Sequence, residues 1–229
     1  MEKEIYIKIT KDGPYLVYGI NRFLQKFVVE DIEKDEFFYH SGRVFEMNVV
    51  PVSLCRCGKS KNAPFCDNTH SYINFDGQET ADFSFFMDNA VLFQGKNLKL
   101  YDNEKLCALV KFCDFKGSVW NLITVGTESA DRDAVRLANS CPSGRLIIFD
   151  NGGNPLEEEL PKTISLLEDE GVKISGPIYV SGGIRVESFD GRSYEIRNRQ
   201  TLCRCGGSKN KPFCDCSHFY IKFQAGYPT

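Results

Sequence analysis

No stretch of this 229-residue chain approaches the ~20 consecutive apolar residues that carry a helix across a bilayer. Its start, MEKEIYIKITKDG, lacks the basic-then-apolar layout of an export signal. The expected setting is therefore the cytoplasm, without a membrane partner. Charge of one sign is scarce too: 28 Lys and Arg against 31 Asp and Glu leave a formal net charge of -3, which gives no electrostatic reason to expect a nucleic-acid partner. Histidine is scarcer still. Two of the three histidines lie in cysteine-rich stretches, leaving His40 in FFYHSGR for acid-base work, which argues against a stand-alone hydrolytic or transfer enzyme. No G-x-G-x-x-G sits between a strand and a helix and no P-loop is present, so bound nicotinamide, flavin or nucleotide is not indicated.

What the chain does have is ten cysteines. In a reducing compartment these are poor candidates for a disulfide framework and better ones for metal ligands or redox chemistry. CRCGKSKNAPFCDNTH (55–70) and CRCGGSKNKPFCDCSH (203–218) place Cys55, Cys57, Cys66 and His70, and then Cys203, Cys205, Cys214 and His218, at one spacing, C-x-C-x8-C-x3-H. Every member of the second set is displaced by 148 residues, and twelve of the sixteen positions are identical. Two unrelated loops do not keep such spacing by chance, so the chain reads as an internal duplication of a ligand set of three Cys and one His. Upstream, KITKDGPYLVYG (8–19) resembles KISGPIYVSGG (173–183), and β-type sequence follows each, with a longer intervening segment in the first copy. The repeated unit is a small β-rich module.

Thiolate-rich sites select zinc or iron-sulfur clusters. Structural zinc sites usually space paired cysteines by two to four residues, and a C-x-C pair is tight for that loop. The residues CRCG, then Ser60 or Ser208, Pro64 or Pro212, and CD-x-[ST]-H resemble the CDGSH iron-sulfur domain. The resemblance implies a 2Fe-2S cluster in each copy, with Cys55 and Cys57 on one iron and Cys66 and His70 on the other, and with Cys203, Cys205, Cys214 and His218 in the same roles. The family's glycine is replaced by Asn68 and by Cys216. Asn tolerates a positive φ, so the first turn is expected to survive; Cys216 reads as a surface cysteine or a spare thiol near its cluster. A histidine ligand raises the potential relative to all-cysteine clusters and is open to displacement by a proton near neutral pH, with lability expected below about pH 6. Asp67 and Asp215 read as turn caps or as partners that orient the histidine. Lys61, Lys209, Arg56 and Arg204 read as solvated side chains, with offset of cluster charge as the alternative.

Between the copies, LCALVKFC supplies Cys107 and Cys113 in a C-x5-C, and a helix starting near Ser129 with Ala130, Ala134, Leu137 and Ala138 on one face leads to Cys141-Pro142 and the strand RLIIF. Residues 96–150 in that order resemble monocluster ferredoxins and the divergent iron-sulfur domain found beside CDGSH motifs. The resemblance implies a third cluster on Cys107, Cys113 and Cys141. Three thiolates favour 3Fe-4S, or 4Fe-4S with one non-cysteine ligand; the alternative is a ferredoxin-shaped domain that keeps its cysteines as small buried residues. Trp120, Phe112, Phe115 and Leu137 read as core.

The expected class is α+β: an N-terminal module (1–88, with an insertion), a ferredoxin-like domain (89–150), an acidic linker (151–171) and a C-terminal module (172–229). Each terminal module is too small to bury much core alone, which favours an intramolecular, pseudo-two-fold pair in a monomer. The expected function is a redox relay moving single electrons to a redox partner protein. A cluster donor to an apo-acceptor protein, or a redox or pH sensor, is the alternative, and a zinc-stabilised interaction module is a third reading.

Overall fold

The computed structural model of the chain describes residues 4–226, so the first three and last three residues of the terminal modules lie outside the described residues. In β1 (Tyr6–Ile9) and β2 (Tyr15–Tyr18) every second side chain is buried, the period of a strand with one covered face. β1 and β2 form a hairpin, and β5 (Val52–Leu54) pairs with β2 just before the first cysteine motif. The second half repeats this plan. β9 (Thr163–Asp169) and β10 (Ile174–Ser181) form a hairpin, and β12 (Arg199–Leu202) pairs with β10 just before the second motif. Tyr15 stands opposite Leu54, as Ile178 stands opposite Leu202.

Each half also gives a strand to the other. The segment after β2 is the long hairpin β3 (Arg22–Asp31) and β4 (Glu36–Glu46), and β3 runs parallel to β9. The strand after β10, β11 (Arg185–Glu187), runs parallel to β1. The resulting sheets have the orders β11-β1-β2-β5 and β12-β10-β9-β3-β4. One buried core, including Ile7, Val17, Phe23, Ile164, Leu166 and Ile178, draws on both halves.

The stretch read as a connector over 151–171 departs from that reading. Residues 151–162 are exposed or half-buried, but Thr163–Asp169 is β9 itself, inside the five-stranded sheet. Its ISLL run is buried on both faces, so it carries no alternation to mark it as a strand.

The central segment forms a third sheet, β6 (Val91–Gln94), β7 (Leu98–Asp102) and β8 (Leu146–Asp150), all antiparallel. α2 (Val119–Val125) and α3 (Glu128–Ser140) complete its core with Val119, Ile123, Ala134 and Ala138. The expected helix is α3: the Thr127 hydroxyl accepts from the Ala130 amide at 3.3 Å as its N-cap, and Ala130, Ala134, Leu137 and Ala138 are the buried residues. Cys141-Pro142 ends it, since the residue before a proline leaves the helical region. The whole is a mixed α/β structure with few helices and several sheets. Among the described residues no helix is long and apolar enough to cross a membrane.

Candidate functional site

Each cysteine loop grows from the end of a strand and is tied by the same hydrogen bonds in both copies. The Cys55 amide donates to Pro64 O and the Cys203 amide to Pro212 O, both at 2.8 Å. The Cys66 and Cys214 amides return to Ser53 O and Thr201 O, both at 2.9 Å. Ser60 donates to Phe65 O at 2.6 Å and Ser208 to Phe213 O at 2.7 Å. Asp67 and Asp215 cap the turn rather than orient the histidine: Asp67 accepts from the amides of Lys61 (2.8 Å) and Thr69 (3.0 Å), Asp215 from those of Lys209 (2.7 Å) and Ser217 (3.0 Å). Donation from Thr69 and from the Lys61 amide brings Asp67 down to about 2, and the Lys209 and Ser217 donors bring Asp215 below the usual carboxylate range against its burial. Both turns then need a left-handed residue, supplied by Asn68 (φ 70) and Cys216 (φ 64).

This scaffold presents the donors in pairs. Cys55 Sγ stands 3.7 Å from Cys57 Sγ, and Cys66 Sγ stands 3.4 Å from His70 Nδ1. The second loop repeats the pairs at 3.6 Å for Cys203 and Cys205 and 3.3 Å for Cys214 and His218 Nδ1. Two donors on one tetrahedral metal, with sulfur at about 2.3 Å, stand roughly 3.5–3.8 Å apart; the two Cys-Cys pairs fall in that range and the two Cys-His pairs just short of it, so each pair is near the spacing that one metal requires. Among the described residues no three His, Cys, Asp or Glu side chains converge on one ion. A two-by-two donor set is what a two-iron cluster requires of its ligands. One thiol of each C-x-C accepts from the other: hydrogen bonding from Cys57 brings Cys55 down to about 6 and Cys205 brings Cys203 to about 7, while Cys57 and Cys205 are pushed up. Burial pushes Cys66 and Cys214 up. Metal binding must therefore displace protons from both loops.

The arginines inside the two C-x-C pairs are buried, contrary to the solvated reading, whereas Lys61 and Lys209 are exposed. Arg56 donates to Gly13 O and Thr10 O, and Arg204 to Gly176 O and Leu167 O and to the Glu168 carboxylate. They fasten each loop to its hairpin by carbonyls that a lysine point charge would not satisfy together. The two loops also meet. A Cβ on Gly206 would fall 2.6 Å from Cys57 O, and one on Gly58 would collide with Cys205 O, both at positive φ. Tyr15, fully buried, donates to Cys203 O (2.8 Å) and Pro212 O (3.1 Å) across the same boundary. Its place in the duplicated upstream segment was visible in the sequence, but its reach was not.

The central cysteines also come together. Cys107, Cys113 and Cys141 line one cavity with Pro142, Ser143 and Arg145. Leu109 (φ 53) and Lys111 (φ 66), both between Cys107 and Cys113, are left-handed. Arg145 is held by Asp102 at 2.5 and 2.7 Å; that pair and Cys107 raise its pKa against the cost of burial. Burial, then the charges of Asp114 and Cys141, push the Cys113 thiol up. Arg199 anchors the Cys141 loop, donating to Cys141 O at 2.9 Å and to Ala138 O. Phe112 and Leu137 are core, Trp120 and Phe115 half-buried, and His40 is exposed on β4 opposite Phe27.

Residues 12–71 and 175–219 match the family described as iron-binding zinc finger CDGSH type. Residues 93–151 match the family described as divergent 4Fe-4S mono-cluster. No curated protein and no solved structure matches the chain.

Proposed function

We propose, from the premise that this is an iron-sulfur protein with two CDGSH-type regions around a divergent 4Fe-4S mono-cluster region, that it is a cytoplasmic one-electron relay serving a redox partner protein. Cys55, Cys57, Cys66 and His70 hold one 2Fe-2S cluster, Cys203, Cys205, Cys214 and His218 a second, and Cys107, Cys113 and Cys141 a third. A bound cluster supplies reversible one-electron uptake; the chain supplies fixed ligands and the surrounding field. The observation that carries the reading is the donor pairing at 3.3–3.7 Å, found in both loops.

The residues around the ligands suit this work. Buried thiols that resist ionisation alone would give up their protons to solvent on binding metal, whose charge offsets the thiolates, Arg145 offsets thiolate charge at the central site, and the serine, proline and aspartate of each loop tie the loop's backbone. The exchanged strands and the reciprocal contacts, Gly58 on Cys205 and Gly206 on Cys57, support a pseudo-two-fold pair within a monomer. The proposed ligand sets fall one each in residues 1–88, 89–150 and 172–229.

Anaerobic protein is expected to be red-brown, to contain iron and inorganic sulfide, and to be reduced and reoxidised without loss of either. Colourless protein with stoichiometric zinc refutes the proposal. One observation favours the donor reading for the first site: Cys66 and His70 are only half-buried. Cluster transfer to an apo-ferredoxin that stops with His70→Cys selects that reading.

A further inference from the structure

The three central cysteines are one short of the four thiolates that a cubane cluster takes when cysteine alone holds it. The C-terminal motif, meanwhile, has one cysteine that its own ligand set does not use. Cys216 occupies the left-handed position between Cys214 and His218, where the first copy has Asn68. A left-handed φ is unfavourable for a residue other than glycine, asparagine or aspartate, and the first copy shows that the turn forms without a thiol.

The turn carrying Cys216 lies against the Cys107 loop. Asn210 Nδ2 donates to Lys105 O at 3.2 Å, and Lys111 Nζ lies 5.9 Å over the Phe219 ring. Ala108, Leu109 and Val110 share the wall of one cavity with His218 and Phe219. The N-terminal motif has no such neighbour: among the described residues, no hydrogen bond, ion pair or ring contact joins 55–70 to 96–150. Cys216 lies in the chain between Asn210 and Phe219, and Cys107 between their partners Lys105 and Lys111, so the two contacts bracket both cysteines.

We propose that Cys216 is the fourth thiolate of the central site and, with Cys107, Cys113 and Cys141, holds a four-iron cluster across the boundary between the central and C-terminal regions. The inference rests on reading the central cysteines as a cluster site. On ligation the Cys216 thiol gives its proton to solvent and one Fe–S bond forms; no electron changes hands. The tenth cysteine then completes the central site rather than standing spare beside its own.

The test is Cys216→Asn in the full-length chain, prepared anaerobically, since Asn68 shows that asparagine holds this turn. Iron per chain is expected to fall from about eight to about seven while sulfide stays near eight, and the oxidised protein to gain the paramagnetic signal of a three-iron cluster. Mössbauer spectra should show both two-iron sites unchanged. A central three-iron cluster in the unmodified protein, or four irons kept in Cys216→Asn, overturns the proposal. Two two-iron clusters and nothing else in the unmodified protein overturns it as well, and separately removes the central-site reading. Cys216→Ala gives a second variant with the same expectations, and Cys107→Ser should lose the central cluster altogether.

Discussion

The two CDGSH-type loops share their spelling and their hydrogen bonds yet differ in their surroundings. In the first, Cys66 and His70 are half-buried and α1 (Thr69–Tyr72) buries no residue. In the second, Cys214 is 3% and His218 6% exposed. The motif does not account for this, because the donor distances and turn geometry agree to within a few tenths of an ångström. The cause is the neighbour: the second loop lies under the central Cys107–Lys111 segment and against β10, to which α4 (Ser217–Tyr220) packs. A ligand set thus fixes what can be bound, and the elements packed around it fix how easily water and protons reach it.

The sharpest way to break the comparison is at the point where the loops touch. Gly58→Ala puts a Cβ against Cys205 O at a φ of 72°, which costs about 1 kcal/mol in backbone conformation and another 1–3 kcal/mol in forced displacement. Chemical denaturation should show the loss, and iron bound at both loops should become labile although only one carries the substitution. If the second site is untouched, the loops are energetically independent.

Acid should separate the two sites. Burial, followed by the charge of Arg204, holds His218 down to about 4, below the ordinary imidazole value. A lowered value means that the neutral, ligating form persists as pH falls, so stability held by His218 is lost only in the window from about 6.5 down to about 4. The half-exposed His70 has no such cover. Visible absorbance is expected to keep a component that persists below about pH 6.5, and this component is changed by His218→Cys but not by His70→Cys. A single phase removed equally by His70→Cys and His218→Cys contradicts the assignment.

The smallest effect comes from an asymmetry between the halves. Tyr15 donates to two carbonyls of the second loop, while Ile178, at the equivalent register, has no hydroxyl to return. Tyr15→Phe should cost about 1 kcal/mol in denaturant unfolding. It should loosen the second site alone, seen as faster bleaching by a chelator.

The duplication, the spacing of its cysteines and histidine, and helix α3 were legible because each leaves a periodic or spaced signal in the chain. Cys66 to His70 and Cys214 to His218 fix their turn by residue type, and Ala130, Ala134, Leu137 and Ala138 fix a helix face. What escaped was set by tertiary neighbours. β9 is buried on both faces and shows no alternation. Arg56 and Arg204 look like surface residues until the backbone carbonyls that bind them are brought close. Arg199, 58 residues from Cys141 in the chain, gives no local sign that it will hold that cysteine's carbonyl.

Because β11 lies beside β1 and β3 beside β9, neither sheet is finished until the last third of the polypeptide has left the ribosome. The amino-terminal half emerges with its three cysteines and histidine already in place along the chain but with its sheet one strand short and its loop lacking the surface that backs Gly58. A chain cut short before β9 and β11 therefore leaves one edge of β1 and one edge of β3 open to pairing with other chains.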